Sequence, residues 1–179
     1  GRGSTFWFTV CVERQPESRR AVLHGADLQD VAVLIVDNNA TSRKALAMQT
    51  RSWGMRTAEA KDGPAALRML QEAAEDGDPF RVALIDGKMP GMDGAALGRV
   101  IKGEGALGDV KLVILTSFGV RGDAQYFARL GFDAYMTKPA RYSELRGVLA
   151  QVLSGGGKES LIVTRHTARE AGHFLHARK

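Results

Sequence analysis

Hydrophobic and polar positions alternate in a regular way from about residue 31 onward. Short apolar runs rich in β-branched residues are separated by longer segments in which apolar residues recur with helical spacing, a pattern typical of a parallel sheet covered by helices. The predicted strands are 31–36, 55–60, 82–85, 110–115 and 134–136, and the predicted helices are 40–52, 63–75, 93–103, 121–130 and 142–153. This order predicts an α/β fold with a doubly wound, five-stranded parallel sheet.

The two ends of the chain have a different pattern. Residues 1–24 begin with a strand-like alternation through Val12 and then become polar. Residues 154–179 begin with Ser154 and three glycines, a composition typical of linkers, and continue into the short apolar run at 161–163. We therefore predict one folded domain over residues 25–153, flanked by the segments 1–24 and 154–179.

The composition is that of a soluble globular protein, because 44% of the 179 residues are hydrophobic and 25% are charged. No apolar run approaches the roughly 20 residues that a membrane-spanning helix needs. The first residues lack the pattern of a secretion signal, and the single cysteine, Cys11, cannot form an internal disulfide. These features predict a cytoplasmic location and no membrane contact by this segment.

The net charge of +5 raises the question of nucleic-acid binding, and its distribution argues against it. Residues 1–24 carry a net charge of +2 and residues 154–179 a net charge of +3, whereas residues 25–153 hold equal numbers of acidic and basic side chains. A face that binds phosphate backbones should belong to the folded domain. The sequence therefore predicts no nucleic-acid partner.

Polar side chains directly follow four of the predicted strands. They are Asp37-Asn38-Asn39 after the first strand, Asp86 after the third, Thr116-Ser117 after the fourth and Lys138-Pro139 after the fifth. The carboxyl ends of parallel strands meet at one edge of the sheet, so these side chains are expected to converge. Neighbouring carboxylates and an amide oxygen suit a hard cation such as Mg²⁺. A lysine and a hydroxyl beside them suit a phosphoryl group.

The chain resembles the receiver domains of two-component signalling over about residues 29–153. The matching stretches are Val33–Asn39, Leu84–Gly94, Ile114–Ser117 and Tyr135–Pro139, which occur in the order and at the spacing of that family. The resemblance implies a flavodoxin-like (βα)5 fold with strand order 2-1-3-4-5. It also implies that Asp86 accepts a phosphoryl group from a phosphohistidine on a partner, and that the resulting acyl phosphate is the signal.

The resemblance assigns a role to each matching position. It implies that Asp37, Asn38, Asp86 and the backbone carbonyl of Lys88 bind Mg²⁺ or Mn²⁺, that Thr116 and Lys138 contact the phosphoryl oxygens, and that Tyr135 acts with Thr116 as a conformational switch. Lys138-Pro139 resembles the cis peptide of the family. Read without the family, Asp86 is a turn residue, Thr116 a helix cap, Lys138 a surface lysine and Tyr135 a packing residue.

One position departs from the family pattern. The second member of the acidic pair after the first strand is usually aspartate, and here it is Asn38. An amide oxygen supplies no charge, so we expect weaker Mg²⁺ binding than in a receiver with both acids. Asn38 also keeps open a second function, a protein-interaction module that works without phosphorylation. A flavin-binding protein is a third class, but the chain lacks the hydroxyl-rich or glycine-rich phosphate loops that it requires.

The flanking segments carry shorter resemblances. Residues 1–8 are similar to the end of a histidine kinase ATPase domain, and residues 161–170 are similar to the linker that precedes a second receiver in hybrid kinases. Together they imply a segment of a hybrid sensor kinase, itself a protein-histidine phosphotransferase, that is membrane-anchored in some members. The implied partners are the phosphohistidine domain of its own or a cognate kinase and a histidine phosphotransfer domain. The sequence leaves pairing into homodimers open.

Overall fold

The computed structural model describes residues 27–117, 119, 122–155 and 163–164 together with the single residues 7 and 9. These residues form a parallel sheet with helices on both faces. The strands are β1 (Ala32–Val36), β2 (Arg56–Ala60), β3 (Val82–Asp86), β4 (Lys111–Thr116), β5 (Ala134–Thr137) and β6 (Val163–Thr164). The helices are α1 (Ala40–Ser52), α2 (Gly63–Glu75), α3 (Gly94–Gly103), α4 (Asp123–Arg129) and α5 (Tyr142–Leu153), and a single 3₁₀ turn spans Gly105–Leu107.

The order of strands across the sheet is β2-β1-β3-β4-β5-β6, and every pair is parallel. The first five strands confirm the predicted doubly wound sheet and its order 2-1-3-4-5. The sixth strand is an addition that the sequence pattern did not predict, because it lies in the segment interpreted as a linker. The remaining predictions for residues 1–24 and 156–179 lie outside the described residues.

The predicted boundaries of the strands differ from the observed ones by one residue in places. Two polar residues, Asp86 and Thr116, belong to the sheet and pair with Leu115 and Thr137. The hydrophobic pattern ends one residue before the backbone pairing does. The peptide group of a residue at a strand end can form the hydrogen bonds of the sheet whether its side chain is polar or apolar. Both site residues are therefore fixed by the sheet itself.

The core consists of two apolar layers, one on each face of the sheet. Strands β1 and β3 are buried at all five positions, which explains why their sequences are continuous apolar runs up to the terminal Asp86. One layer lies under α1 and α5 and includes Val33, Leu84 and Leu145, while the other lies under α2 and α3 and includes Leu34, Leu70 and Ile101. No helix in the described ranges is long and apolar enough to cross a membrane.

The helices differ in how they begin. The side chain of Asn39 accepts hydrogen bonds from the N–H groups of Thr41 and Ser42 and so caps α1. The carboxylate of Asp62 accepts a hydrogen bond from Ala65 N–H at 2.8 Å and so caps α2, and Asp93 caps α3 in the same way. Among the residues that the structure describes, no side chain caps α4 or α5 by a hydrogen bond.

Candidate functional site

Three strand ends bring two acids and one base together at the carboxyl edge of the sheet. Asp37 follows β1, Asp86 ends β3 and Lys138 follows β5, so residues far apart in the chain become neighbours. The Lys138 Nζ atom lies 2.7 Å from Asp37 Oδ2 and 2.7 Å from Asp86 Oδ1. The two aspartates are only 1% and 6% exposed. A single ammonium group thus bridges two buried carboxylates.

Asp37 is held from its backbone as well as from its side chain. Its Oδ1 atom accepts a hydrogen bond from the N–H of Asn39 at 2.7 Å, and its carbonyl oxygen accepts one from Arg43 Nη1 at 2.7 Å. The Arg43 side chain is partly buried and also lies near Glu59 of β2, with Nε 3.8 Å from Oε2. Helix α1 therefore fixes the position of the acid that precedes it.

Asp86 is packed tightly against the start of α3. A Cβ atom on Gly94 would lie 2.5 Å from the backbone oxygen of Asp86 and 2.7 Å from the Cδ1 atom of Ile114. The next residue, Gly87, donates its N–H to Leu115 O at 2.7 Å, which continues the contact with β4. The absence of a side chain at residue 94 therefore allows α3 to approach the peptide group of Asp86.

Lys138 is placed by the connection between β5 and α5. Its backbone N–H donates to Thr116 O at 2.7 Å, and its peptide bond to Pro139 is cis, as the resemblance implied. Burial alone would lower the pKa of the Lys138 ammonium, but the hydrogen bonds and charges of Asp37 and Asp86 outweigh that effect, and the pKa lies above its usual value. The group is therefore a cation throughout the neutral pH range.

Thr116 and Tyr135 lie on the neighbouring strands β4 and β5. Thr116 pairs with Thr137 at the ends of those strands, next to the lysine. The Tyr135 hydroxyl donates to Asp123 Oδ2 at 3.2 Å, and the ring stacks on Phe127 of α4 with centroids 5.8 Å apart. Burial raises the pKa of Tyr135, and the charge of Asp123 and the hydrogen bond to it add to that shift. The phenol thus links β5 to α4.

The oxygen donors at this edge suit a hard divalent cation. Asp37 and Asp86 offer carboxylates, and Asn38 and Lys88 lie beside them in the chain with exposed positions. Within the ranges that the structure describes, no three acidic, histidine or cysteine side chains gather as a metal cluster. Two carboxylates completed by amide and carbonyl oxygens are a set that Mg²⁺ accepts, because it keeps several water ligands.

Some residues of the site were missed by reasoning from the sequence. Arg43 and Asp123 contact predicted site residues, but both lie inside segments interpreted as helices, where charged residues are ordinary. Arg43 is six positions after Asp37, and its contact follows from the helix beginning at Ala40. Gly94 was part of the matching stretch without an assigned role. A glycine in the first turn of a helix is the signal that could have indicated a close approach.

Comparison with known proteins gives a consistent picture. The family described as Response regulator receiver domain matches residues 33–150. The chemotaxis protein CheY of Pseudomonas aeruginosa is 32% identical over 108 residues, which are 60% of this chain and 83% of that protein. The sensor histidine kinase RcsC of Salmonella typhi is 31% identical over 121 residues, which are 68% of this chain and 12% of the kinase.

A solved structure has the same architecture. The signal receiver domain of a signal transduction histidine kinase from Syntrophus aciditrophicus superposes with a TM-score of 0.62 at 27% identity, and the match covers 72% of this chain and 94% of that one. The chain spans less than half the length of the first curated relatives it matches, between 12% and 44%. The likeness therefore concerns one domain of larger proteins.

Proposed function

This chain belongs to the response regulator receiver family, and from that premise we propose that Asp86 is its phosphoacceptor. The observation that carries the proposal is the bridge from Lys138 Nζ to Asp37 Oδ2 and Asp86 Oδ1, 2.7 Å each. It brings a buried nucleophile, a second acid and a fixed cation to one point. Phosphoryl transfer needs little else from a protein, because its catalysis is mostly positioning and charge stabilisation.

The proposed reaction transfers a phosphoryl group from a phosphohistidine to Asp86. One carboxylate oxygen of Asp86 attacks phosphorus, the phosphorus–nitrogen bond breaks, and the electron pair leaves with the imidazole, which takes up a proton. An acyl phosphate on Asp86 results. Lys138 then contacts a phosphoryl oxygen in place of the Asp86 carboxylate oxygen, and the Thr116 hydroxyl donates a hydrogen bond to another.

We further propose that Mg²⁺ or Mn²⁺ takes part and is held by Asp37, Asp86, Asn38 and the backbone carbonyl of Lys88. When bound, the cation neutralises phosphoryl oxygens as charge develops on them. Two side chains perform the other tasks. Asp37 is oriented by the hydrogen bond that it accepts from the N–H of Asn39. The Lys138 ammonium offsets the repulsion between the carboxylates of Asp37 and Asp86. Asn38 lowers the negative charge of the site by one unit relative to a second aspartate.

The proposed partner is a phosphohistidine-bearing helical domain, either that of the parent kinase or a histidine phosphotransfer domain. A cavity of about 410 Å³ lies between α1 and the β5–α5 connection, and it is lined by Leu46, Lys138 and Pro139 beside the acceptor. Met48 is 72% exposed on the same helix and offers an apolar contact. We propose that the chain is a cytoplasmic part of a hybrid sensor kinase. There it relays the phosphoryl group or regulates its parent through the face around Tyr135.

A mass measurement tests the acceptor directly. The chain is incubated with Mg²⁺ and acetyl phosphate, and its intact mass is compared with that of Asp86→Ala. We expect an increase equal to one HPO₃ group, absent from the alanine variant. Asp93→Asn is the matched control, because asparagine also caps α3 while one carboxylate near Asp86 in sequence is lost; it should be modified like the parent. An unmodified parent at millimolar Mg²⁺ would contradict the proposal and favour the interaction module that Asn38 suggests.

A further inference from the structure

The loop between β3 and α3, residues 87–93, carries the proposed metal ligand Lys88 and is held at both ends. Gly87 donates its N–H to Leu115 O of β4 at 2.7 Å. Gly94 N–H, at the start of α3, donates back to Gly87 O at 3.4 Å, so the two ends of the loop lie next to each other. The loop is therefore a closed turn, and the shape of its backbone sets the position of the Lys88 carbonyl.

Two methionine side chains attach this loop to the apolar layer under α2 and α3. Met89 is buried in that layer, and Met92 is partly buried against it. Between them, Pro90 O accepts a hydrogen bond from Met92 N–H at 3.0 Å, and Gly91 has a φ of 79°. The Lys88 carbonyl carbon is bonded to the nitrogen of Met89, so these side chains hold the backbone that presents the carbonyl oxygen.

Met92 lies in a gap that exists because residue 63 has no side chain. Gly63 is the buried first residue of α2. A Cβ atom at this position would lie 2.6 Å from Met92 Sδ and 3.1 Å from both its Cβ and its Cγ atom. The Sδ end of the side chain can turn aside, but the Cβ atom is attached to the backbone. Relief of the overlap therefore requires the loop itself to move.

Helix α2 is the fixed partner in this contact. The carboxylate of Asp62 caps its first turn, and Ala66 and Leu70 are 0% and 1% exposed in the same apolar layer. A helix anchored in this way does not recede from an added methyl group. The start of α2 thus acts as a stop against which the loop rests.

We propose that Gly63 and Met92 are positioning residues for the metal site, through which the start of α2 holds the loop in the shape that lets the Lys88 carbonyl bind Mg²⁺. Neither residue is itself a ligand. The inference rests on the proposed function, because it concerns the cation that the acceptor Asp86 uses. It adds a helix that supplies no ligand to the elements that set the affinity for the metal.

Isothermal titration calorimetry of the unphosphorylated chain with Mg²⁺ tests the proposal. Gly63→Ala should raise the dissociation constant about tenfold, because the added methyl group displaces the loop that carries one ligand. Gly103→Ala is the matched control: it adds the same group at the last residue of α3, where no atom of the described residues lies within 4 Å of the new Cβ. This control should bind Mg²⁺ like the parent.

A second variant removes the contact without adding bulk, and it decides the matter if Gly63→Ala does not fold. Met92→Ala should raise the dissociation constant about fivefold, because the loop loses its contact with α2. Met69→Ala is its control, since Met69 packs partly buried against the same apolar layer but belongs to α2. Urea unfolding should show similar losses of stability in both methionine variants, whereas only Met92→Ala should bind Mg²⁺ more weakly.

The rate of phosphoryl uptake from acetyl phosphate gives a readout that a loss of stability alone does not change. The Mg²⁺ concentration for the half-maximal rate should rise in Met92→Ala by the same factor as the dissociation constant. In Met69→Ala it should equal that of the parent.

Two outcomes would overturn the positioning role while the proposed function stands. In the first, the parent binds Mg²⁺ and Met92→Ala binds it equally tightly. In the second, Met69→Ala loses as much affinity as Met92→Ala, so the effect reflects general stability. A parent that binds no Mg²⁺ and gains no HPO₃ group would instead overturn the proposed function, and this inference with it.

Discussion

The two halves of the receiver differ in how their helices are capped and how deeply those helices are buried. In the half formed by β1–β3 and α1–α3, each helix starts with a side-chain cap, and both acids of the site belong to this half. In the half formed by β4, β5, α4 and α5, neither helix has such a cap, and α4 has no buried residue in its seven-residue span. The comparison indicates that the acid-bearing half fixes the chemistry, while the half around Tyr135 is the easier one to rearrange.

The largest expected difference between the halves comes from adding one methyl group to each. Gly94→Ala places a Cβ against the backbone of Asp86, which cannot move aside, so we expect a loss of about 2 kcal/mol in the free energy of unfolding. At Gly122→Ala no atom of the described residues lies within 4 Å of the new Cβ, but the φ is 101°, so only backbone strain of about 1 kcal/mol is expected. Urea unfolding monitored by circular dichroism measures both. Equal losses would contradict the view that the acid-bearing half is the more tightly packed.

A smaller effect is expected from restoring a charge in the acid-bearing half. Asn38→Asp should tighten Mg²⁺ binding about tenfold, or about 1.4 kcal/mol, because a carboxylate attracts the cation more strongly than an amide. Isothermal titration calorimetry on the unphosphorylated protein measures the affinity. Asn39→Asp is the matched control, since aspartate also caps α1 and adds the same charge one residue later. If both variants bind equally well, the gain reflects general charge and residue 38 is not a ligand.

The smallest effect is expected in the other half, at the contact between β5 and α4. Asp123→Asn removes the charge that disfavours the phenolate, so the pKa of Tyr135 should fall, while burial still keeps it above the usual value. Ultraviolet titration measures tyrosinate, and subtraction of the Tyr135→Phe titration isolates this residue from Tyr126 and Tyr142. An unchanged titration would show that the hydroxyl does not face Asp123 in solution.

The same residue gives a stability effect of definite sign. The pKa of Tyr135 is higher in the folded protein than in the unfolded chain, so its contribution to stability is complete below the unfolded pKa and is lost as the pH rises through the folded pKa. Lys138 behaves in the same way, since its folded pKa is also raised. The window for both effects therefore lies above about pH 10, and neither contributes to acid unfolding.

The fold could be predicted from the sequence because its strands are buried on both faces. Continuous apolar runs such as Val82–Ile85 cannot be placed on a surface, and their alternation with helical segments leaves few topologies. The acids were identified because each directly follows such a run, and the lysine because it lies just after the last one. The roles assigned to these residues stay predictions, as do the domain boundaries at residues 24 and 154 and the roles of Asn38, Lys88, Thr116 and Tyr135.

Other features depend on contacts that have no sequence signature. Arg43 binds the carbonyl of Asp37 because of the exact rotation at which α1 begins, which a periodicity of 3.6 residues does not define. Asp123 faces Tyr135 only after α4 has packed on β5. Strand β6 has two residues, fewer than a pattern with a period of two needs to be recognised, and its pairing depends on the exposed edge of β5.

The sixth strand has a practical consequence for shortening this chain. A receiver cut at the family boundary, near residue 150, would lose the end of α5 and the strand beside β5. Its sheet would then end in an uncovered edge, the kind of surface on which protein chains stack and precipitate. Poor solubility of such a shortened domain would be a property of the excision, and extending the recombinant boundary beyond Thr164 is the remedy.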